Sequence, residues 1–131
     1  MRRLDDRVTV SPQIQAGDVQ TLADSGVSLI INNRPDGEEP GQPAGAEIEA
    51  AARAAGVRYV SAPYQGRPTT EAVMAMQTAL DGDDQRIHAF CRSGMRSCAA
   101  WAITQVKAGR PVEDIIAAGQ EAGYDLAPLF V

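Results

Sequence analysis

Histidine is almost missing from this chain of 131 residues, which carries only His88, and cysteine is scarce, with Cys91 and Cys98 alone. A single imidazole with no cysteine or carboxylate at ligand spacing makes a poor metal candidate, so no metal and no cofactor is expected. Two cysteines do not make a disulfide framework, which points to reduced thiols. No apolar run approaches the length of a bilayer span, and Met1-Arg2-Arg3-Leu4-Asp5-Asp6 lacks the apolar centre of a signal peptide. The expectation is a soluble, cytoplasmic protein. Basic residues are outnumbered, 12 against 17, giving a net charge of −5. That balance argues against nucleic acid, and against an anionic membrane surface, as the main partner. A small anionic substrate stays open, because a single loop can attract it locally. There is no internal repeat and no linker, and the length suits one domain over 1–131 with a core at about 5–125.

What is present is an alternation of strand-like and helix-like segments. Arg7-Val8-Thr9-Val10 reads as a short strand closed by Ser11-Pro12. Val27 to Ile31 is nearly continuous in apolar residues, as in a strand buried on both faces, and Val57 to Ser61 and Arg86 to Phe90 supply two more. Between them, Val19, Leu22 and Ala23, then Ile48, Ala51, Ala52 and Ala55, then Val73, Met76 and Leu80 recur at helical spacing. Gly56 stops the second of these helices, and Thr69 or Thr70 caps the third. Ala99, Ala102, Ile103 and Val106 mark a fourth, and Val112, Ile115, Ile116 and Gly119 a fifth that starts at Pro111. The apolar tail Leu126 to Val131 is expected to dock on something, or to continue into it.

This order predicts an α/β fold of three layers, a mainly parallel sheet of four to five strands flanked by helices. Ligands of such sheets bind beyond the carboxyl ends of the strands. Those ends carry Ser11, Asn32 to Arg34, Tyr64 to Arg67, and Cys91, which makes Arg34 and Arg67 candidates for a pocket wall. The long loop Asn32 to Pro43, rich in proline, glycine and charge, is of the kind that carries function.

The chemistry concentrates in Phe90-Cys91-Arg92-Ser93-Gly94-Met95-Arg96-Ser97. A cysteine stands where a strand stops, and a helix begins at about Met95 or Arg96. Amides at a helix start lack intrahelical partners, and the helix dipole adds positive potential there. Gly94 permits a sharp turn, so that the N–H groups of Arg92, Ser93, Gly94, Met95 and Arg96 converge as an anion nest. Such a setting favours the thiolate, the nucleophilic form of Cys91. Arg96 offers a planar fork of donors to an oxyanion or a sulfur anion, and Ser97 a hydroxyl to the thiolate. The bland alternative is a buried, inert cysteine, which two arginines and a glycine within five residues fit poorly. Arg92 is either a second recognition charge at the mouth or a solvated loop residue. His88 is a strand residue facing away from the neighbours of Cys91. Cys98 is either a small core residue or a resolving thiol for Cys91, and Trp101 packs beside the loop helix or at an interface.

The loop Cys91-Arg92-Ser93-Gly94-Met95-Arg96 resembles the active-site loop of rhodanese-type sulfurtransferases. It is also similar to the phosphate loop of protein tyrosine phosphatases, with a glycine three residues after the cysteine and an arginine followed by serine or threonine. Val10-Ser11-Pro12-Gln13-Ile14, the run from Ile31 through Pro43, and Glu47 to Gly56 resemble the phosphatase-like domain of bacterial β-lactamase-hydrolase-like proteins, over roughly residues 5 to 125. The resemblance implies a protein-tyrosine-phosphatase-like fold, a catalytic Cys91, and a role in sulfide and persulfide handling, with a metallo-β-lactamase-type persulfide dioxygenase as partner.

Two departures from the phosphatase pattern bear on the reaction. Phosphatases place the arginine six residues after the cysteine, whereas Arg96 is five after Cys91 and position 97 is serine; a tighter loop suits a sulfur anion better than a tetrahedral phosphate. Phosphatases of this fold also carry an aspartate acid on a neighbouring rim loop. The matching loop Pro63 to Thr70 has no carboxylate, and Asp36 is either a substitute acid or a turn former before Gly37. The leading expectation is a cysteine-dependent sulfurtransferase that passes sulfur from thiosulfate or a persulfide through Cys91. The alternatives are a phosphatase-like hydrolase of phosphate monoesters, and a persulfide carrier serving a partner dioxygenase.

Overall fold

Period-two burial in the strands decides the layers. The computed structural model describes residues 1–84 and 86–131. Strands β1 (Arg2–Arg3), β2 (Val8–Ser11), β3 (Leu29–Asn32), β4 (Arg58–Ser61) and β5 (Ile87–Phe90) form one sheet in the order β1-β2-β5-β3-β4. The pairs β2–β5, β5–β3 and β3–β4 are parallel, and β1 runs antiparallel to β2. Val8, Val10, Leu29, Ile31, Ile87 and Ala89 enter one core. There they meet Met76 of α3 (Thr70–Asp81), Cys98 and Trp101 of α4 (Met95–Lys107) and Ile115 of α5 (Val112–Ala122). Ile30 and Phe90 enter the opposite core with Leu22 of α1 (Asp18–Asp24) and Ile48 and Ala52 of α2 (Gly45–Ala54).

The expected three-layer α/β arrangement is therefore the observed one. Strand β1 is the addition: two exposed arginines offer no apolar alternation to read. Helix α3 takes Thr69 as its cap, whose hydroxyl oxygen accepts the Ala72 amide at 3.2 Å. Trp101 lies wholly inside the α3–α5 core, with the Arg110 guanidinium 5.8 Å from its ring centre. The apolar tail docks on this same core. Leu126 is buried, and Leu129 and Phe130, in the short 3₁₀ turn Ala127–Phe130, pack against it.

Each fully buried Leu, Ile or Phe contributes roughly 1.5–3 kcal/mol of transfer free energy, whereas an exposed ion pair contributes at most about 1 kcal/mol. The two apolar layers thus fix the strand order, and the rim charges are carried by it. Strand β5 lies between β2 and β3, so its carboxyl end opens onto the rim with loops on either side. Among the described residues no helix is long and apolar enough to cross a membrane.

Candidate active site

Strand β5 ends at Phe90 and helix α4 begins at Met95, so Cys91 to Gly94 make the whole turn. Gly94 completes it in the left-handed region, at φ 96° and ψ −14°. The Gly94 N–H donates to Cys91 Sγ at 3.1 Å, and the Met95 N–H donates to Ser93 Oγ at 3.2 Å. The amides of Arg92, Ser93 and Arg96 have no acceptor among the described residues. Cys91 itself is buried beneath the loop, while Arg92 and Ser93 are exposed at its mouth. The Cys91 amide is tied to the end of β2 by donation to the Ser11 carbonyl at 3.4 Å.

Arg96 is oriented by a residue that the sequence pattern did not single out. Its Nη1 and Nη2 donate to the two carboxylate oxygens of Glu38 at 2.9 and 2.7 Å, and Nη1 also donates to the Tyr64 carbonyl at 2.9 Å. A guanidinium has five N–H groups. With those three engaged, the Nε–H and the second Nη2–H remain, and they share one edge: a two-pronged fork for an anion. Tyr64 grips the same residue from the other side, its buried hydroxyl donating to the Arg96 carbonyl. Desolvation and the nearby Cys91 push the Tyr64 phenol well above its ordinary range, so it remains a donor.

Glu38 is saturated. Besides Arg96 it accepts from Arg34 Nε at 2.9 Å and from Gln65 Nε2 at 3.0 Å. The Arg96 hydrogen bonds dominate, and with Gln65 and Arg34 they outweigh desolvation and lower the carboxyl from 4.5 to about 2. Glu39 is likewise lowered, first by its hydrogen bond from Arg34 and then by Arg92, whose Nη2 is 3.5 Å away. Three arginines and two glutamates leave this rim with a net positive charge in a chain whose total is −5. The local charge at the rim therefore has the sign opposite to that of the whole protein.

Several expected roles are redistributed by these contacts. Arg34 lines a depression with Asn32 and Asp36, but it is buried and its guanidinium is committed to Glu38, to Glu39 at 2.8 Å and to Gln13 Oε1 at 3.1 Å. The Ser97 hydroxyl donates not to the thiolate but to Asn33 Oδ1 at 2.8 Å. Asn33 in turn donates from Nδ2 to the Ala62 carbonyl at 3.0 Å, so this buried pair staples the helix start to β3 and to the segment after β4. Asp36 accepts the Gly45 amide at 2.8 Å, at the start of α2, in a depression lined with Asn32, Tyr59 and Ser61 rather than by the cysteine loop. That placement is helix capping, and it takes Asp36 away from acid duty. Arg67 stays at the surface, donates to the Leu129 carbonyl at 3.2 Å, and lines a depression of about 240 Å³ together with Met95, Arg96 and Asp125.

His88 and Cys98 both lie in the interior. His88 is fully buried, with Nδ1 2.8 Å from Thr9 Oγ1 and Nε2 2.8 Å from Ser11 Oγ. Since Ser11 donates onward to the Pro12 carbonyl at 2.8 Å, a neutral ring with its proton on Nε2 satisfies every partner. Burial lowers its pKa from 6.5 to about 4. Cys98 sits in the apolar core, where burial and then Cys91 push its thiol up to about 12. Among the described residues no cluster of three metal-ligating side chains occurs.

Comparison with known proteins agrees with this geometry. The model for the phosphatase-like domain of beta-lactamase hydrolase-like protein matches residues 1–108. The beta-lactamase hydrolase-like protein of Agrobacterium fabrum is 36% identical over 126 residues, covering 95% of this chain and 29% of its own length. That of Xylella fastidiosa is 37% identical over 125 residues, covering 94% and 29%. This chain thus spans about three tenths of those curated relatives. A candidate phosphatase of Neisseria meningitidis, solved by crystallography, superposes with a TM-score of 0.83 at 31% identity, over 98% of this chain and 92% of that one. Tk-PTP in its active form gives a TM-score of 0.74 at 16% identity, over 95% and 85%, a likeness of fold. The fold is that of protein-tyrosine-phosphatase-like proteins, and the chain belongs to the family of phosphatase-like domains of beta-lactamase hydrolase-like proteins.

Proposed function

We propose that this domain is a cysteine-dependent enzyme of small anions and that the group it moves is sulfane sulfur. Cys91 thiolate attacks the outer sulfur of thiosulfate or of a low-molecular-weight persulfide. The donor's S–S bond breaks, sulfite or a thiolate leaves, and a persulfide forms on Cys91. An acceptor thiol, sulfite or cyanide then takes the outer sulfur and regenerates the thiolate, with no net oxidation across the two steps. The free edge of Arg96 and the unpaired amides of Arg92 and Ser93 are the groups that would hold the donor's oxyanion. Arg92 and Arg67 stand where an incoming anion arrives.

One observation carries the choice of sulfur: each carboxylate of the Asn32 to Pro43 rim loop is committed. Glu38 is held ionised by Arg96, Glu39 by Arg34, and Asp36 caps α2. Hydrolysis of an alkyl phosphate needs a proton for its leaving oxygen; sulfite and thiolates leave without one. Kinship favours the second reading, phosphate monoester hydrolysis through a phosphocysteine, since the fold and the relatives are phosphatase-like. In that reading Asp125, beside Arg96 and Arg67, is the carboxyl to examine as acid. A metallo-β-lactamase-type persulfide dioxygenase is the partner proposed to consume the sulfur, either as product or by direct transfer from a Cys91 persulfide.

The test is turnover of wild type and Cys91→Ser on thiosulfate with a thiol or cyanide acceptor, and on an aryl phosphate. Cys91-dependent sulfur transfer with negligible phosphate release supports the first reading, and the reverse supports the second. Stoichiometric loading of Cys91 with sulfur without turnover on small acceptors would leave the carrier role.

A further inference from the structure

The contact of Tyr124 with the cysteine loop has no counterpart in the sequence pattern, and it acts on the peptide that faces the sulfur. The Tyr124 hydroxyl donates to the Ser93 carbonyl at 3.0 Å. The N–H of that same peptide unit belongs to Gly94 and donates to Cys91 Sγ at 3.1 Å. In a trans peptide the C=O and N–H point in opposite directions, and there is no cis bond among the described residues. Holding the carbonyl outward therefore aims the amide inward. A peptide that precedes a glycine at φ 96° is the kind that can rotate, because glycine tolerates both resulting conformations.

Tyr124 is itself delivered with little freedom. Gly123 ends α5 in the left-handed region at φ 93°, and the Tyr124 amide donates to the Gly119 carbonyl at 2.8 Å. Leu126, buried against Gly119, fastens the following turn. The fit at the loop is close enough that a Cβ on Gly94 would lie 2.1 Å from the Tyr124 hydroxyl.

We infer that Tyr124 is a positioning residue that locks the Ser93–Gly94 peptide in the one orientation that presents an N–H to the Cys91 sulfur. It touches neither sulfur nor substrate; it acts through the peptide, and by polarising the carbonyl it strengthens the N–H on the far side. The inference rests on Cys91 being the nucleophile.

The experiment is the pH dependence of Cys91 alkylation by iodoacetamide, followed at peptide level in the full chain, for wild type and Tyr124→Phe. The ring stays and one hydroxyl goes. The ionisable groups around the pair, which are Arg96 and Glu38 on the rim, Tyr64, Cys98 in α4 and Arg2 beside Gly123, are common to both proteins. The expected result is several-fold slower alkylation of the variant at neutral pH, with an unchanged thermal midpoint. Coincident alkylation profiles would overturn the inference. Hydrogen exchange of the Gly94 amide in wild type reads the lock without any variant: protection is expected, and exchange at the rate of an open loop would overturn it. If Cys91 of folded wild type is not alkylated at any pH, the nucleophile assignment itself falls, and amide exchange still reports separately on the peptide.

Discussion

Cys91 and Cys98 are both hidden from solvent, yet they occupy opposite kinds of surroundings. The Cys98 sulfur lies among apolar side chains one turn into α4, where its charged form has nothing to stabilise it and its pKa rises to about 12. The Cys91 sulfur receives an amide N–H, and around the loop mouth stand Arg92 and Arg96, Glu38 and Glu39, and three amides with no acceptor among the described residues. Burial alone therefore does not distinguish an inert thiol from a nucleophile. What separates the two is whether donors were folded toward the sulfur along with it.

The sharpest way to break that contrast is to remove each thiol in turn. Cys91→Ser is expected to lower turnover by about 10³-fold or more, because the nucleophile has no substitute. Cys98→Ala is expected to leave turnover within about twofold and to cost about 1 kcal/mol, the loss of one small buried group. Equal losses of activity from the two would return Cys98 to the role of resolving thiol.

Glu38→Gln tests the charged half of the contrast. It leaves the shape of the rim but removes the anion shared by Arg34, which is almost wholly buried, and Arg96. Turnover should fall about tenfold, and the thermal midpoint by about 10 °C, since a buried cation loses one of its two carboxylate partners. Full stability in the variant would show that Glu39 and Gln13 suffice for Arg34.

Acid titration extends the comparison to a buried imidazole, that of His88. His88 has a folded pKa of about 4 against an ordinary 6.5, so only the unfolded chain gains its proton between those values. Stability that is complete above pH 6.5 should therefore decline by of order 3 kcal/mol as the pH falls to about 4. Glu38 adds a second decline, from 4.5 down to about 2, because its carboxylate must be protonated away from Arg96. Urea unfolding across these pH values should show the upper slope flattened in His88→Gln and the lower one in Glu38→Gln. The smallest effect belongs to Arg67→Ala: a raised KM of a few-fold for an anionic donor, with a thermal midpoint unchanged, since the side chain is exposed.

Much of the fold was legible because it depends on local patterns. Continuous apolar strands alternated with helical stripes, and Gly94 between Cys91 and Arg96 announced a turn that only a positive φ completes. The partners within the site were not legible in the same way. Glu38 and Arg96 are far apart in sequence, and neither the loop conformation nor the choice between Glu38, Glu39 and Asp36 follows from composition. The only signal was an adjacent pair of glutamates in a long loop on the same rim as Arg34, Arg67 and Arg96. Ser97 carried a false signal, since its spacing from Cys91 suited the thiolate while tertiary packing turned it to Asn33.

By itself the sequence determined that a cysteine ends a central strand, that a glycine turn and a helix start follow it, and that arginines stand on the same rim. Those follow from side-chain periodicity and backbone sterics, which act over a few residues. Only the tertiary structure decided which carboxylate grips Arg96, which edge of its guanidinium stays free, and which phenol bonds the Ser93 carbonyl of the loop that covers the sulfur. Those contacts join the cysteine loop to segments brought near only when the two apolar layers close on the sheet.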